Sequence, residues 1–175
     1  MPKPFARLAG AFAVLALFAP LPAFAEFLDP DWSDLTIEGV AAPDWLAGVN
    51  DGDYIGMCSG CDETLMLQVQ ARPDDGTGGR VHSGETTAET WTEIGQANAA
   101  QLGNVAEYYG TETLDFASAK GFKTSAKGAT GDFSATYQLW DDGHQLIVRV
   151  YGADQEQVDS LAQTAFKAAA PLAFQ

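Results

Sequence analysis

The sequence predicts an α+β fold in which an antiparallel sheet of about five or six strands has two amphipathic helices packed on it. Several segments alternate apolar and polar residues with the period of two that is typical of half-buried strands. Two other segments carry apolar residues at helical spacing behind capping residues. Because the predicted strands are interrupted by one helix and followed by another, we expect both helices on one face of the sheet.

The first two predicted strands lie on either side of the two cysteines. One strand runs from Asp53 through Met57 and is followed by a tight turn at Ser59 and Gly60. The next covers residues 65–70, where every second side chain is a branched apolar one. The residues of that alternation are Leu65, Leu67 and Val69.

The first helix is predicted from a capping signal. Residues 72–84 are rich in Gly, Asp and Pro and are interpreted as a loop. Thr86 and Glu89, three residues apart, form a capping box. A helix over about residues 87–102 follows, and Gly103 ends it.

The best predicted strand pair lies in the second half of the chain. Residues 133–139 and 146–150 both alternate with a period of two. Between them, Asp142 and Gly143 are the residue types that a two-residue hairpin turn favours. A less regular strand is predicted over residues 114–116, or on to residue 122.

The chain closes with a second helix over residues 155–170, capped by Asp154 and stopped by Pro171. All of these elements fall within residues 53–175, which we interpret as one α+β domain. The helix carries one apolar stripe that suits packing on a sheet. Its members are Val158, Leu161, Ala162, Ala165, Phe166 and Ala169.

The first 25 residues are predicted to be a secretory signal peptide. A short basic start precedes an apolar run over residues 8–18, and a small-residue motif places cleavage between Ala25 and Glu26. The apolar run is about half the roughly 20 residues that a spanning helix needs. We therefore expect a periplasmic or secreted protein that is not inserted in the membrane after cleavage.

Residues 26–52 are predicted to be an irregular, acidic lead-in. Prolines and glycines are scattered through this segment, so it contains at most a short strand around residues 35–40. Trp32, Trp45 and Leu46 are expected to pin it to the rest of the protein.

The charge of the chain excludes several partners. There are 24 Asp and Glu against 9 Lys and Arg, a formal net charge of −15. This leaves no basic surface for a nucleic acid or for anionic lipid. The acidic residues serve either as a solvated surface or as a docking surface for a cationic protein partner.

The one chemical motif is the Cys-x-x-Cys pair formed by Cys58 and Cys61. In an oxidising compartment, two cysteines with no other partner in the chain are expected to form a disulfide. A redox role is the first alternative, although the neighbouring carboxylates of Asp62 and Glu63 would raise the pKa of a nearby thiol.

Metal binding is the second alternative for the same motif. Met57, Cys58 and Cys61 resemble the Gly-Met-x-Cys-x-x-Cys loop of small copper-carrying domains, with one residue missing between Met and Cys. His82 and His144 could complete a zinc site of two cysteines and two histidines. Their spacing from the cysteines matches no local metal-binding motif.

Residues 84–174 resemble, in layout, the second half of the α/β/α sandwich shared by PsbP-like photosystem proteins and the Mog1-like family. The resemblance rests on an amphipathic helix, the strand pair across GDFSATYQLWDDGHQLIVRVYGAD, and a closing helix that begins DQEQVDSLAQTAF. It implies a non-catalytic module that binds or assists another protein. No functional residue of those families is carried over.

The sequence therefore favours an exported, soluble, non-catalytic binding or accessory protein with a local structural disulfide. The alternative is a periplasmic thiol-redox or metal-handling protein that uses the Cys-x-x-Cys motif with copper or zinc. No catalytic residue and no cofactor are predicted. The identity of the partner and the oligomeric state are left open.

Overall fold

The computed structural model describes residues 30–141 and 143–174. The predicted signal peptide, residues 1–25, and its cleavage site lie outside the described residues. The strands are β1 (Trp45–Asn50), β2 (Asp53–Cys58), β3 (Leu65–Pro73), β4 (Val105–Phe116), β5 (Ala119–Gly128), β6 (Phe133–Asp141) and β7 (His144–Gly152). The helices are a 3₁₀ turn (Trp32–Asp34) and the α-helices α1 (Thr77–His82), α2 (Ala88–Leu102) and α3 (Gln155–Ala173).

The strands described form one antiparallel sheet in the order β1-β2-β3-β7-β6-β5-β4. After β3 the chain passes through α1 and α2 to the far edge of the sheet. It then returns by a meander that brings β7 beside β3, so that Leu67 faces Val150. The α+β class is confirmed, and the seven strands exceed the five or six expected.

The helices pack on both faces of the sheet. On β6, Tyr137 stacks on Phe166 of α3, with ring centroids 4.9 Å apart. Trp140 lies three residues further along the same strand and therefore points to the other face. There it meets Trp91 of α2 edge to face, at 5.4 Å. The expectation that both helices share one face is wrong, because the long connection after β3 carries α2 across to the face opposite α3.

The main core lies between the sheet and α3. Its apolar side chains come from strands on both sides of the β3–β7 pair and from the lead-in segment. Burial raises the pKa of Tyr137 to about 12, with Asp159 and Glu112 adding to the shift. The largest side chains of this core that are fully buried are Trp32, Leu67, Val69, Leu146, Val148, Val150 and Val158.

Several sequence predictions are confirmed. The strands on either side of the cysteines are β2 and β3, and the hairpin between β6 and β7 has a two-residue loop in which Gly143 has φ +80°. The helix predicted from about residue 87 is α2, but its cap is Thr87 and not the predicted Thr86: the hydroxyl of Thr87 accepts from the N–H of Thr90. At the start of α3, the carboxylate of Asp154 accepts from the N–H of Gln157.

The lead-in differs from its prediction. Its strand is β1, at Trp45–Asn50 rather than at residues 35–40, and β1 forms one edge of the sheet. The side chains of Trp32 and Trp45 are buried as expected. Leu46 is exposed, because alternation along β1 turns it away from the core that Trp45 enters.

Three further corrections concern the middle and end of the chain. The segment predicted as a loop contains α1, because carboxylates of Asp74 and Asp75 accept the first N–H groups of that helix. The irregular strand near residue 114 is part of two long strands, β4 and β5, whose pairing contains bulges that break the alternation. Pro171 lies inside α3, since one lost hydrogen bond in the last turn is offset by burial of Ala173.

No helix among residues 30–141 and 143–174 is long and apolar enough to span a membrane.

A substitution at Gly121 tests whether the backbones of β5 and β6 approach each other closely at this position. A Cβ atom at this position would lie 1.9 Å from the carbonyl oxygen of Gln138. Gly121→Ala should therefore lower the free energy of unfolding by about 3 kcal/mol, since the backbone of β6 would have to move. Denaturant unfolding monitored by circular dichroism measures the change.

The matched control is Gly48→Ala in β1, where a Cβ would have no heavy atom within 4 Å. This change should leave the stability the same or raise it by about 0.5 kcal/mol. Equal losses for the two variants would contradict the geometry of the β5–β6 pair.

Candidate binding surface on the open sheet face

The Cys-x-x-Cys motif forms a disulfide at the end of β2. Cys58 and Cys61 are bonded, with their Cα atoms 5.6 Å apart. Cys58 is buried in the core, whereas Cys61 is exposed. The N–H groups of Ser59 and Gly60 donate to the carbonyl of Asp44, at 2.7 and 3.0 Å. The disulfide therefore closes a turn that is tied to the start of β1.

The two histidines lie at the other end of the sheet from the cysteines. His144 begins β7 opposite Pro73, about 26 Å along the strand from Gly152, which pairs near the cysteine turn. The Nε2 of His82 donates to the carbonyl of Trp140 at 2.9 Å. In the described part of the chain, no group of three or more His, Cys, Asp or Glu is arranged to hold a metal ion.

Met57 is also separated from the cysteines. It precedes Cys58 in β2 and points to the opposite face of the sheet, where it is exposed. The structure therefore brings Cys58 and Cys61 together but places Met57, His82 and His144 elsewhere.

The face of β1, β2, β3 and β7 that lies opposite α3 is called here the open face. On this side of the sheet, α1 and α2 contact β4, β5 and β6. Trp91 of α2 packs on Phe122 and Trp140, which belong to β5 and β6. The two helices therefore cover one half of this side, and most side chains of the other half are half-buried or exposed.

Four large apolar side chains cross the open face in a row. In the strand register Leu46 faces Met57, Met57 faces Met66, and Met66 faces Tyr151. Their exposed fractions are 61, 42, 42 and 44% in that order. Isolated exposed apolar residues are common, but a contiguous apolar patch usually marks an interaction site. These four side chains are called here the apolar row.

A cavity continues the apolar row beyond Tyr151. Its volume is about 400 Å³, and its walls combine the sheet with the loops after α2 and β5. Apolar and hydroxyl-bearing side chains both line it, as in many ligand and peptide sites. Residues of its walls include Met66, Tyr151, Ser134, Asn104, Val105 and Thr130.

The polar end of the open face is organised around the buried carboxylate of Asp53. Gln70 donates its side-chain amide to Asp53 at 2.5 Å, and Gln68 does so at 3.3 Å. Arg72 forms an ion pair with the same carboxylate. Because these donors come from alternate residues of β3, they reach Asp53 from the same face of the sheet.

Arg149 carries the uncompensated charge of the open face. It lies between Gln68 and Thr136 in the strand register and is half-buried. No carboxylate of the described residues lies within ion-pair distance of its guanidinium, since Asp53 is paired with Arg72. A half-buried guanidinium retains donors that an acceptor on a partner can satisfy.

Comparison with known proteins adds a similarity in fold only. Neither a protein-family model nor a curated protein matches the chain.

Among solved structures, the chain is similar to the solution structure of cyanobacterial PsbP (CyanoP) from Synechocystis sp. PCC 6803. The match has 16% sequence identity and a TM-score of 0.44, and it covers 73% of this chain and 80% of that one. The weak PsbP-like resemblance seen in the sequence is thus also found in the structure. At this level of similarity no functional residue or activity follows for the present chain.

The apolar row was not predicted from the sequence. Met66 and Tyr151 occupy the outward positions of their strands, where the alternation predicts polar residues. The apolar residues at these outward positions were the one sequence signal that could have indicated an exposed apolar surface. Their alignment into one row depends on strand order, which local periodicity does not determine.

Asp53→Ala tests the polar end of the open face. Without the carboxylate, the amides of Gln68 and Gln70 lose their acceptor and Arg72 loses its ion pair. The free energy of unfolding should fall by about 1–3 kcal/mol, as expected when partly buried donors are left unsatisfied. Denaturant unfolding at neutral pH measures it.

The control is Asp62→Ala, which removes an exposed carboxylate that makes no hydrogen bond or ion pair with the described residues. Its stability should stay within about 0.5 kcal/mol of the parent protein. A similar loss of unfolding free energy for both variants would show that the contacts of Asp53 with Gln68, Gln70 and Arg72 do not stabilise the fold.

Proposed function

We propose that the protein is an exported, non-catalytic accessory protein that binds another protein through the apolar row. The observation that carries this proposal is the alignment of four large exposed apolar side chains on adjacent strands. Covering such side chains removes apolar surface from water at about 25 cal/mol per Å². On a chain with a net charge of −15, this surface is suited to a partner rather than to solvent alone.

The partner is inferred to present apolar side chains around a hydrogen-bond acceptor. The apolar row and the cavity would take the apolar side chains. Arg149 lies two residues from Tyr151 along β7, on the same face of the sheet. Its guanidinium is therefore within reach of a carboxylate or carbonyl of a partner bound to the row. Interface hot spots often combine aromatic, methionine and arginine side chains in this way.

The signal-like segment at residues 1–25 supports a periplasmic or secreted location for this binding. The excess of acidic residues supports a protein partner and argues against nucleic acid. A non-catalytic role is supported by the open face itself, because its carboxylate, Asp53, is engaged by three neighbouring side chains.

The disulfide is proposed to be structural, and a thiol-redox function is the second candidate. One observation favours the redox candidate: Cys61 is exposed while Cys58 is buried, so that one sulfur is accessible to an exchanging thiol. Against it, Cys58 ends a strand and does not begin a helix, so it lacks the amide dipoles that activate such thiols. A copper or zinc function would require the reduced cysteines to recruit ligands other than His82 and His144.

The double variant Met57→Gln/Met66→Gln tests the apolar row. Both side chains are exposed, so the fold should persist while apolar contact with a partner is lost. Proteins captured from an extract of the native envelope are identified by mass spectrometry, and the affinity of the purified partner is then measured. The affinity should fall at least tenfold, as expected for central interface residues.

The control for this experiment is Ile94→Gln, which removes an apolar side chain of 45% exposure from the middle of α2, a helix that packs against β4 and not against the row. Its affinity should equal that of the parent protein. If the row variant binds the same partner with unchanged affinity, the proposed binding surface is wrong.

The double variant Cys58→Ser/Cys61→Ser separates the structural role from the redox role. The closed loop is short, so its loss should lower the free energy of unfolding by about 2 kcal/mol. On the parent protein, intact mass with and without reductant reports the disulfide, metal analysis reports bound copper or zinc, and titration against glutathione gives the reduction potential. A reduction potential above about −230 mV with rapid exchange would favour the redox candidate. Free thiols holding copper or zinc would favour metal handling instead.

A further inference from the structure

We propose that the free edge of β1 binds an extended segment of a protein by strand addition, and that this segment has a Lys or Arg at each end. The proposal goes beyond the proposed function. The apolar row would be recognised through side chains on the face of the sheet, whereas this second surface presents backbone groups at its edge.

The edge at β1 lacks the usual protection against pairing. In the described sheet β1 pairs with β2 alone, and the five residues after Trp45 are exposed. Its sequence, WLAGVN, contains no charged residue and no proline. Native proteins normally block an edge strand with charges, prolines, bulges or a covering element.

The opposite edge of the sheet shows that protection. β4 contains two irregularities in its pairing with β5. It carries the carboxylates of Glu107, Glu112 and Asp115, and α2 packs against it. The contrast marks β1 as the edge that is available for pairing.

The turn between β1 and β2 determines which backbone groups point outward. Asp51 and Gly52 form a two-residue turn with φ values of +51° and +80°. In such a hairpin the flanking pair, Asn50 and Asp53, is hydrogen-bonded. Hydrogen-bonded and non-bonded pairs then alternate, so Ala47 and Val49 direct their N–H and C=O groups away from the sheet.

These outward groups are not used elsewhere in the described chain. The N–H of Trp45 donates to the carbonyl of Ala41 at 3.2 Å, so the free stretch begins after it. No turn or loop backbone of the described residues pairs with Ala47 or Val49. Two donors and two acceptors are therefore in place for an added strand.

Two carboxylates near the ends of β1 favour positive charge at the ends of an added strand. Asp44 precedes β1 and Asp51 follows it, and both are exposed. A strand paired along β1 would end near these two residues, which are about 23 Å apart along an extended strand, so that their charges would act on its ends. Opposite charges at facing positions stabilise strand pairing, and like charges oppose it.

The same charges disfavour a second copy of this chain as the added strand. Antiparallel pairing that joins the outward groups of Ala47 to those of Val49 in a second copy would place Asp51 opposite Trp45 of that copy, one residue from its Asp44. The net charge of −15 on each copy adds to the repulsion. A segment with basic ends is the occupant that this edge fits.

The side chains of β1 indicate what lies between the basic ends. Leu46 is on the open face, and Val49, at 50% exposure, is on the other face. The side chains of an added strand would alternate between the two faces, beside Leu46 on one face and beside Val49 on the other. Branched residues such as Val and Thr are suited to both positions.

The test uses an eight-residue peptide of alternating Thr and Val with Lys at both ends. A peptide with Glu at both ends, and a Lys-ended peptide with N-methyl groups on its central amides, are the matched controls. Binding to the purified protein is measured by fluorescence anisotropy, and hydrogen exchange locates the amides that become protected. We expect the Lys-ended peptide to bind at least tenfold more tightly than both controls and to protect Ala47 and Val49.

Two variants of the protein test the edge and its charges. Val49→Pro removes an outward N–H without removing a bond to β2 and should abolish binding, whereas Val49→Thr keeps that N–H and should bind as the parent does. Asp44→Asn/Asp51→Asn should weaken binding about three- to tenfold and remove most of its salt dependence. Asn tolerates the positive φ at position 51.

Several outcomes would overturn the proposal. The proposal is wrong if the N-methylated peptide binds as well as its parent, or if the Glu-ended peptide binds as well as the Lys-ended one. Protection located away from β1 would place the site elsewhere. Concentration-dependent dimerisation that protects Ala47 and Val49 without any peptide would make a second copy the occupant. The N-methylated peptide keeps the test decisive if Val49→Pro does not fold, because it leaves the protein unchanged.

Discussion

The pairing of β3 with β7 is the interaction on which the rest of the structure depends. It joins segments about eighty residues apart, and its nine facing pairs unite the first three strands with the last four. The fully buried pairs Leu67 with Val150 and Val69 with Val148 lie at its centre, and α3 packs across it. The burial of these side chains offsets the entropy of closing the long loop that contains α1, α2 and the β4–β6 meander.

The same topology leaves two surfaces without a covering element. The long α3 fills one side of the central strands, whereas α1 and α2 reach only the β4–β6 half of the other side. The apolar row and the β1 edge are thus exposed on the half that the early strands contribute. The apolar row contains no carboxylate, whereas the exposed carboxylates of Asp44 and Asp51 flank the β1 edge. One surface presents side chains and the other presents backbone groups, so they suit different modes of protein recognition.

Local signals predicted the elements that depend on local interactions. The cap at Asp154 and the turn at Gly143 were predicted correctly, and the cap of α2 was predicted one residue early, at Thr86 instead of Thr87, because each of these features joins residues a few positions apart. The extent of β4 and β5 was missed, since bulges interrupt the alternation. The short α1 was missed because its start is stabilised by side chains of the preceding loop rather than by a capping residue of the expected type.

By itself the sequence determined the acidic charge, the nearness of Cys58 to Cys61, and the strands and helices with clear periodicity. Only the tertiary structure decided that Leu46, Met57, Met66 and Tyr151 form one row, and that Arg149 lies beside it without a carboxylate. It also decided that α2 and α3 take opposite faces. The physical reason is that periodicity specifies the two faces of a single strand, whereas the order and register of strands are determined by burial between residues far apart in the chain.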